Sequence, residues 1–280
     1  KQDTIWDGKN FYSLYKEAYT PWEWQPKLKE IAEELGLICF SSPFDKTAVD
    51  FLEQMNVPAY KVASFEITDI PLIEYIASKG KPVIISTGIA TLGDIEEAVN
   101  TCKKMCNNQI FLLKCTSAYP APLEEVNLKT IPNLADTFNT ITGLSDHTTG
   151  ISVPIASVAL GAKIIEKHFI LDRNLGGTDA PFSLEPEEFK AMVKGVREVE
   201  KALGKVNYEF TDKMKKNREF SRSLFVVKDI RCGETFTEEN VKSIRPGFGL
   251  HPNFFKKIIG KKALKDIGKG SPLTWDLIIN

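Results

Sequence analysis

The chain has 280 residues, 42% hydrophobic and 26% charged, with 36 basic against 37 acidic side chains and a formal net charge of −1. So even a balance excludes a long-range field for holding nucleic acid or an anionic membrane surface, and points to a small-molecule partner. No apolar run approaches the ~20 residues a membrane-spanning helix needs, and no secretory signal pattern is present.

Cys39, Cys102, Cys106, Cys115 and Cys232 are odd in number, and several fall in apolar strand-like runs. They read as reduced thiols of a cytoplasmic protein. Cys102 and Cys106 have helical spacing and no His or Cys companions, so no zinc site is expected there.

In chain order, a helical stretch is expected near 9–18, and from 37 to 203 short apolar runs alternate with amphipathic helices. The strand-like runs are LICFSS (37–42), YKVAS (60–64), PVIIST (82–87), IFLLKCTS (110–117), TITGLSDH (140–147) and AKIIEKH (162–168). Helices are expected over 46–55, 69–79, 92–106, 122–135, 151–160 and 186–203. This alternation predicts a parallel sheet covered by helices on both faces. An open doubly wound sheet would show a Gly-rich dinucleotide fingerprint, which is lacking. Polar residues instead end every strand, as on the catalytic face of a barrel. The expected fold is an α/β (β/α)8 TIM barrel over 1–208, of which only six βα units are visible, so the first two strands are expected to be missing from this chain. A polar linker over 209–220 leads to a β-rich module over 221–280 with Pro/Gly-rich turns.

The chemistry concentrates at those strand ends. His147 in SDHTTG and His168 in EKHF end neighbouring strands, where two imidazoles could hold a divalent ion and leave positions for substrate. Alternation puts Ser145 on the face of His147, and Glu166 on that of His168, as a supporting acceptor or a substrate contact. Ser42, Ser64, Ser86 and Ser117 around Lys61 form a ring of donors suited to a phosphate or carboxylate. Lys114 is a rival: a desolvated strand lysine can form a Schiff base with a carbonyl substrate. Lys167 has the opposite parity to His168 and is expected to be solvated or ion-paired. Asp179, in GGTDAPFSLEP, is expected to overhang the mouth and reach substrate hydroxyls.

The segments KVASFEITDIPLIEYIASKGKPVIISTGIAT, KCTSAYPAP, GLSDHTTG, GAKIIEKHFILDRN and FSLEPEEFKAMV together resemble the sialic acid synthases, which condense phosphoenolpyruvate with an amino-sugar aldehyde. RSLFVVKDIRCGETFTEENVKSIRPGFGLHP is similar to their C-terminal SAF (antifreeze-like) domain. YTPWEW, FSSPFD, SFEITD and FSLEP are most similar to the branch that makes pseudaminic acid; branches making N-acetylneuraminic or legionaminic acid are the alternative. The resemblance implies a transferase with a metal, Mn2+ first and Mg2+ or Co2+ next, held by His147 and His168. It implies phosphate contacts from Lys61, Ser42, Ser64, Ser86 and Ser117, a carboxylate contact from Ser145, and Tyr119, Asp179 and Glu166 near an N-acetylated sugar. Ser117 stands where neuraminic acid synthases have Asn. Arg245 is implied to reach a partner's barrel in a domain-swapped homodimer. The family's opening strands, which supply a Glu, an Asn and a Lys, are not found here. Two readings of other classes remain open: a Schiff-base aldolase working through Lys114, and a non-catalytic amino-sugar-binding protein.

Overall fold

A computed structural model describes residues 10–279. The chain divides into two compact units, the first ending at Gly204 and the second starting at Lys205.

The first unit runs α1 (Phe11–Ala18), α2 (Gln25–Glu34), α3 (Lys46–Gln54), β1 (Tyr60–Val62), α4 (Ile70–Ala77), β2 (Val83–Ser86), α5 (Leu92–Lys104), β3 (Ile110–Cys115), α6 (Thr130–Phe138), β4 (Ile141–Asp146), α7 (Ser152–Ala159), β5 (Ile165–Lys167) and α8 (Pro186–Leu203). Local chemistry fixes the helix starts. The Asp45 carboxylate accepts from the Ala48 N–H at 2.8 Å, Thr91 and Asp94 form a capping box on α5, and Glu185 and Glu188 form another on α8 with Pro186 at its first position.

The five strands are all parallel and lie in the order β1-β2-β3-β4-β5. Strictly sequential order, with no reversal, is the order of a barrel wall and not of a doubly wound sheet. The sheet is an arc of a barrel whose edges are β1 and β5 among the described residues.

Register decides the two faces. Lys61 pairs with Ile84, Ser86 with Leu113, Cys115 with Ser145 and Ser145 with Glu166, so this set shares one face. The alternate residues Tyr60, Val62, Val83, Ile85, Ile110 and Leu112 point the other way. They form the main core with Leu52 of α3, Ile73 and Ile76 of α4, Ala98 and Val99 of α5 and Leu134 of α6. Each such buried Ile, Leu or Val contributes roughly 1.5–3 kcal/mol. These helices therefore cover one face only, against the expectation of two, and the inner face is free to carry polar groups.

The 37–42 run is not a strand. It makes one parallel bridge, Ser41 with Tyr60, and Leu37, Ile38 and Phe40 are exposed. A strand needs a ladder on at least one full edge, and β1 itself is only three residues long.

In the second unit, a short helix α9 (Asp212–Asn217) precedes β6 (Ser223–Val226), which pairs antiparallel with β7 (Val241–Ile244). Isolated bridges such as Ile230–Ile267 and Ala263–Ile278 close a small β-rich core of Leu224, Val226, Phe236, Val241, Ile258 and Leu273.

Candidate active site at the strand ends

One half of the site is a cradle of donors around Lys61. Its side chain, on β1, is buried, and Nζ donates to Ser86 Oγ at 2.7 Å and to the Val62 carbonyl at 3.0 Å, with Glu166 Oε2 at 3.6 Å. Burial lowers the Lys61 pKa, and the Glu166 carboxylate opposes that shift. Ser64 starts the 3-10 turn Ser64–Glu66 beyond β1, and its hydroxyl lies 2.7 Å from that of Ser117 beyond β3. Gly88 permits this meeting: a Cβ there would stand 2.0 Å from Ser117 Oγ and 2.9 Å from Cys115 Sγ.

The other half is the imidazole pair. His147 Nδ1 lies 2.9 Å from the Thr116 carbonyl, which can only accept, so Nδ1 carries the proton and Nε2 keeps its lone pair. His168 Nδ1 lies 3.4 Å from Asp179 Oδ2. An imidazole held through Nδ1 by a carbonyl, as His147 is, is oriented to ligate through Nε2, while the Asp179 carboxylate stands within ion-pair range of His168. The ring centres are 5.3 Å apart. That separation lets two neutral imidazole nitrogens face one divalent ion. The donor set fits one shared divalent ion. Among the described residues no group of three or more His, Cys, Asp or Glu converges as a metal centre, so the imidazole pair stands as a two-donor candidate.

Aromatic walls hold the pair. Phe182, fully buried, packs edge-on against His168 at 4.8 Å, and Tyr119 lies 4.4 Å from His147 and 5.4 Å from Phe182. Burial pushes the Tyr119 hydroxyl up to about 12, so it stays a neutral donor. Burial disfavours charge on both His147 and Cys115, yet their mutual contact prevails: the imidazole pKa is raised and the thiol pKa lowered.

Between the halves, Ser145 Oγ donates to Glu166 Oε1 at 2.6 Å. The structure thus brings Lys61, Ser64, Ser86, Ser117, Tyr119, Ser145, His147, Glu166, His168 and Asp179 to one rim. Ser42 is half-buried just past the Ser41 bridge and makes no hydrogen bond to this set. Arg245 is exposed in the second unit. Lys114 follows the other parity: Nζ donates to the Cys115 carbonyl at 2.6 Å and to Thr116 Oγ1 at 3.1 Å, and Cys115 takes the inner face in its place.

A profile of the NeuB family matches residues 1–208, and a profile of the SAF domain matches residues 221–279. The chain belongs to the NeuB family. The relatives of this NeuB chain include a pseudaminic acid synthase of Campylobacter jejuni, 49% identical over 269 residues that cover 96% of this chain and 78% of the relative. Another from Helicobacter pylori is 47% identical over 276 residues, covering 98% and 81%. Among solved structures, an N-acetylneuraminic acid synthetase of Leptospira borgpetersenii in complex with citrate superposes with a TM-score of 0.70 at 35% identity, covering 75% of this chain and 74% of that one.

Four further residues border this NeuB site. Cys115 and Gly88 were legible only as a strand thiol and a loop glycine, because their roles come from a close approach between strands. Phe182 arrives on a loop tied down by Arg173, whose Nε donates to the Ser183 carbonyl at 3.0 Å. Glu66 follows Ser64 by two residues, and its buried Oε2 has no hydrogen-bond partner. Its acidic position between Lys61 and Asp69 was the available signal.

Proposed function

We propose that the protein condenses phosphoenolpyruvate with 2,4-diacetamido-2,4,6-trideoxy-L-altrose and water, giving pseudaminic acid and phosphate. C3 of phosphoenolpyruvate bonds to the sugar aldehyde carbon, water adds at C2, and the C2–O bond breaks to release phosphate. The observation that carries this reading is the pairing of two sites on one rim: a cationic hydroxyl cradle at Lys61, and an imidazole pair across the Ser145–Glu166 bridge. Its sequence support is the identity to curated pseudaminic acid synthases.

The roles follow from position. Lys61, pinned by Ser86, neutralises the phosphate, while the Ser64 and Ser117 hydroxyls donate to its oxygens. Ser145 faces the carboxylate, and Tyr119 and Asp179 face the sugar. His147 and His168 would hold a divalent ion, Mn2+ first among Mg2+ and Co2+. When bound, that ion supplies Lewis acidity to the aldehyde oxygen. Glu166, linked to both Ser145 and Lys61, is placed to take a proton from the added water. We further propose a homodimer in the cytoplasm, with Arg245 contributed to the sugar from a second copy of the chain.

The test is a product assay with purified protein, phosphoenolpyruvate, Mn2+ and a panel of amino sugars. Phosphate release and pseudaminic acid formation with the trideoxy-altrose far above N-acetylmannosamine support the reading; equal use of N-acetylmannosamine contradicts it.

A further inference from the structure

β4 and β5 stop pairing one residue short of the imidazoles. Their last register pair is Asp146 with Lys167, and His147 and His168 come next. The ladder that would fix their separation has ended where it is needed.

Another device occupies that point on the opposite face of the strands. Lys167 Nζ meets Asp146 Oδ2 at 2.6 Å, with the side chains 0% and 1% exposed. Asp146 Oδ1 accepts from the Thr148 N–H at 3.0 Å and Oδ2 from the Thr148 hydroxyl at 3.1 Å. Lys167 also donates to the Thr148 carbonyl. His147 is therefore bracketed by two residues that both bind Lys167, and His168 is the residue bonded to Lys167 itself.

Stability does not account for such a pair. Removing both charges from water costs about as much as their attraction returns, and apolar side chains would fill the same space at least as well. What the ions and hydrogen bonds add is direction and distance, at the one point where the backbone ladder no longer supplies them.

We propose that the Asp146–Lys167–Thr148 network is a positioning device that sets the spacing and orientation of His147 and His168, and through them the affinity for a divalent ion. This rests on the proposed metal site. Outer partners that orient metal ligands typically account for about 10–100-fold in affinity.

The probe is Mn2+ itself, with free ion counted by electron paramagnetic resonance on wild type, Asp146→Asn, Thr148→Val, His147→Ala and His168→Ala, and thermal melting run in parallel. Asp146→Asn keeps an acceptor oxygen and the volume; Thr148→Val leaves all charges in place and decides the matter if Asp146→Asn does not fold. The expected result is Mn2+ binding weakened about tenfold or more in Asp146→Asn and severalfold in Thr148→Val, with shifted d–d bands when Co2+ replaces Mn2+. Folded variants that melt lower yet bind Mn2+ as wild type does overturn the positioning role and leave the metal site standing. Wild type that binds no Mn2+, or binds it equally well without His147 and His168, overturns the metal site and this proposal with it.

Discussion

The Ser64 and Ser117 hydroxyls meet at 2.7 Å although 53 residues separate them in the chain. Gly88, beyond the intervening strand, passes so close that an added Cβ would overlap Ser117 Oγ at 2.0 Å. Gly88→Ala should push the two hydroxyls apart. Overpacking of this kind costs about 1–3 kcal/mol, and the loss should appear chiefly as a raised KM for phosphoenolpyruvate. Steady-state kinetics with each substrate varied in turn checks this; a change confined to the sugar KM would place the cradle elsewhere.

Among the described residues Lys61 is the one cation bound to the cradle, and burial opposes its charge. Lys61→Met should cut kcat/KM for phosphoenolpyruvate on the order of 10²–10³-fold, the scale of losing a preorganised electrostatic contact. Its melting temperature should not fall by a comparable measure, since a desolvated charge is removed along with its bonds. Kinetics and a thermal melt on one preparation read both.

Lys114 tests the Schiff-base alternative. Its ammonium is engaged by Cys115 and Thr116 on the face away from Lys61 and Glu166. Lys114→Met should turn over at the wild-type rate, and borohydride should trap no pyruvyl adduct on the wild-type protein. A trapped adduct at Lys114 would restore the aldolase reading.

Glu66 makes stability depend on pH. Burial raises its pKa, and Lys61 opposes the shift only partly. The folded state therefore holds this proton more tightly than the unfolded chain, so stability is highest below the ordinary carboxylate range and falls as pH rises through the folded-state value. Glu66→Gln should raise the melting temperature at neutral pH, and the gain should shrink on acidification. Urea unfolding of both proteins over the carboxylate range measures it.

Much of this arrangement was legible in the chain. Helices α3, α5 and α8 lie within the stretches expected over 46–55, 92–106 and 186–203, and strand parity put Ser145 with His147 and Glu166 with His168. Parity also turned Lys167 outward, and of the two expected states, solvated or ion-paired, it takes the second, in a buried pair with Asp146. α2 gave no signal because it buries no residue, and its apolar Leu28 and Ile31 are exposed. The 37–42 run has the apolar composition of a strand, but among the described residues it makes one bridge, Ser41 with Tyr60, and Leu37, Ile38 and Phe40 stay exposed. Phe182 and Gly88 were hidden for another reason: one reaches the histidines on a loop held by Arg173, and the other matters for what it lacks.

The most direct measurement is the electron spin-echo spectrum of Mn2+ added to the protein. Two directly bound imidazole nitrogens are predicted in wild type, and one in each of His147→Ala and His168→Ala. A Mn2+ spectrum without nitrogen coupling, or one that both substitutions leave unchanged, would contradict the shared-ion site.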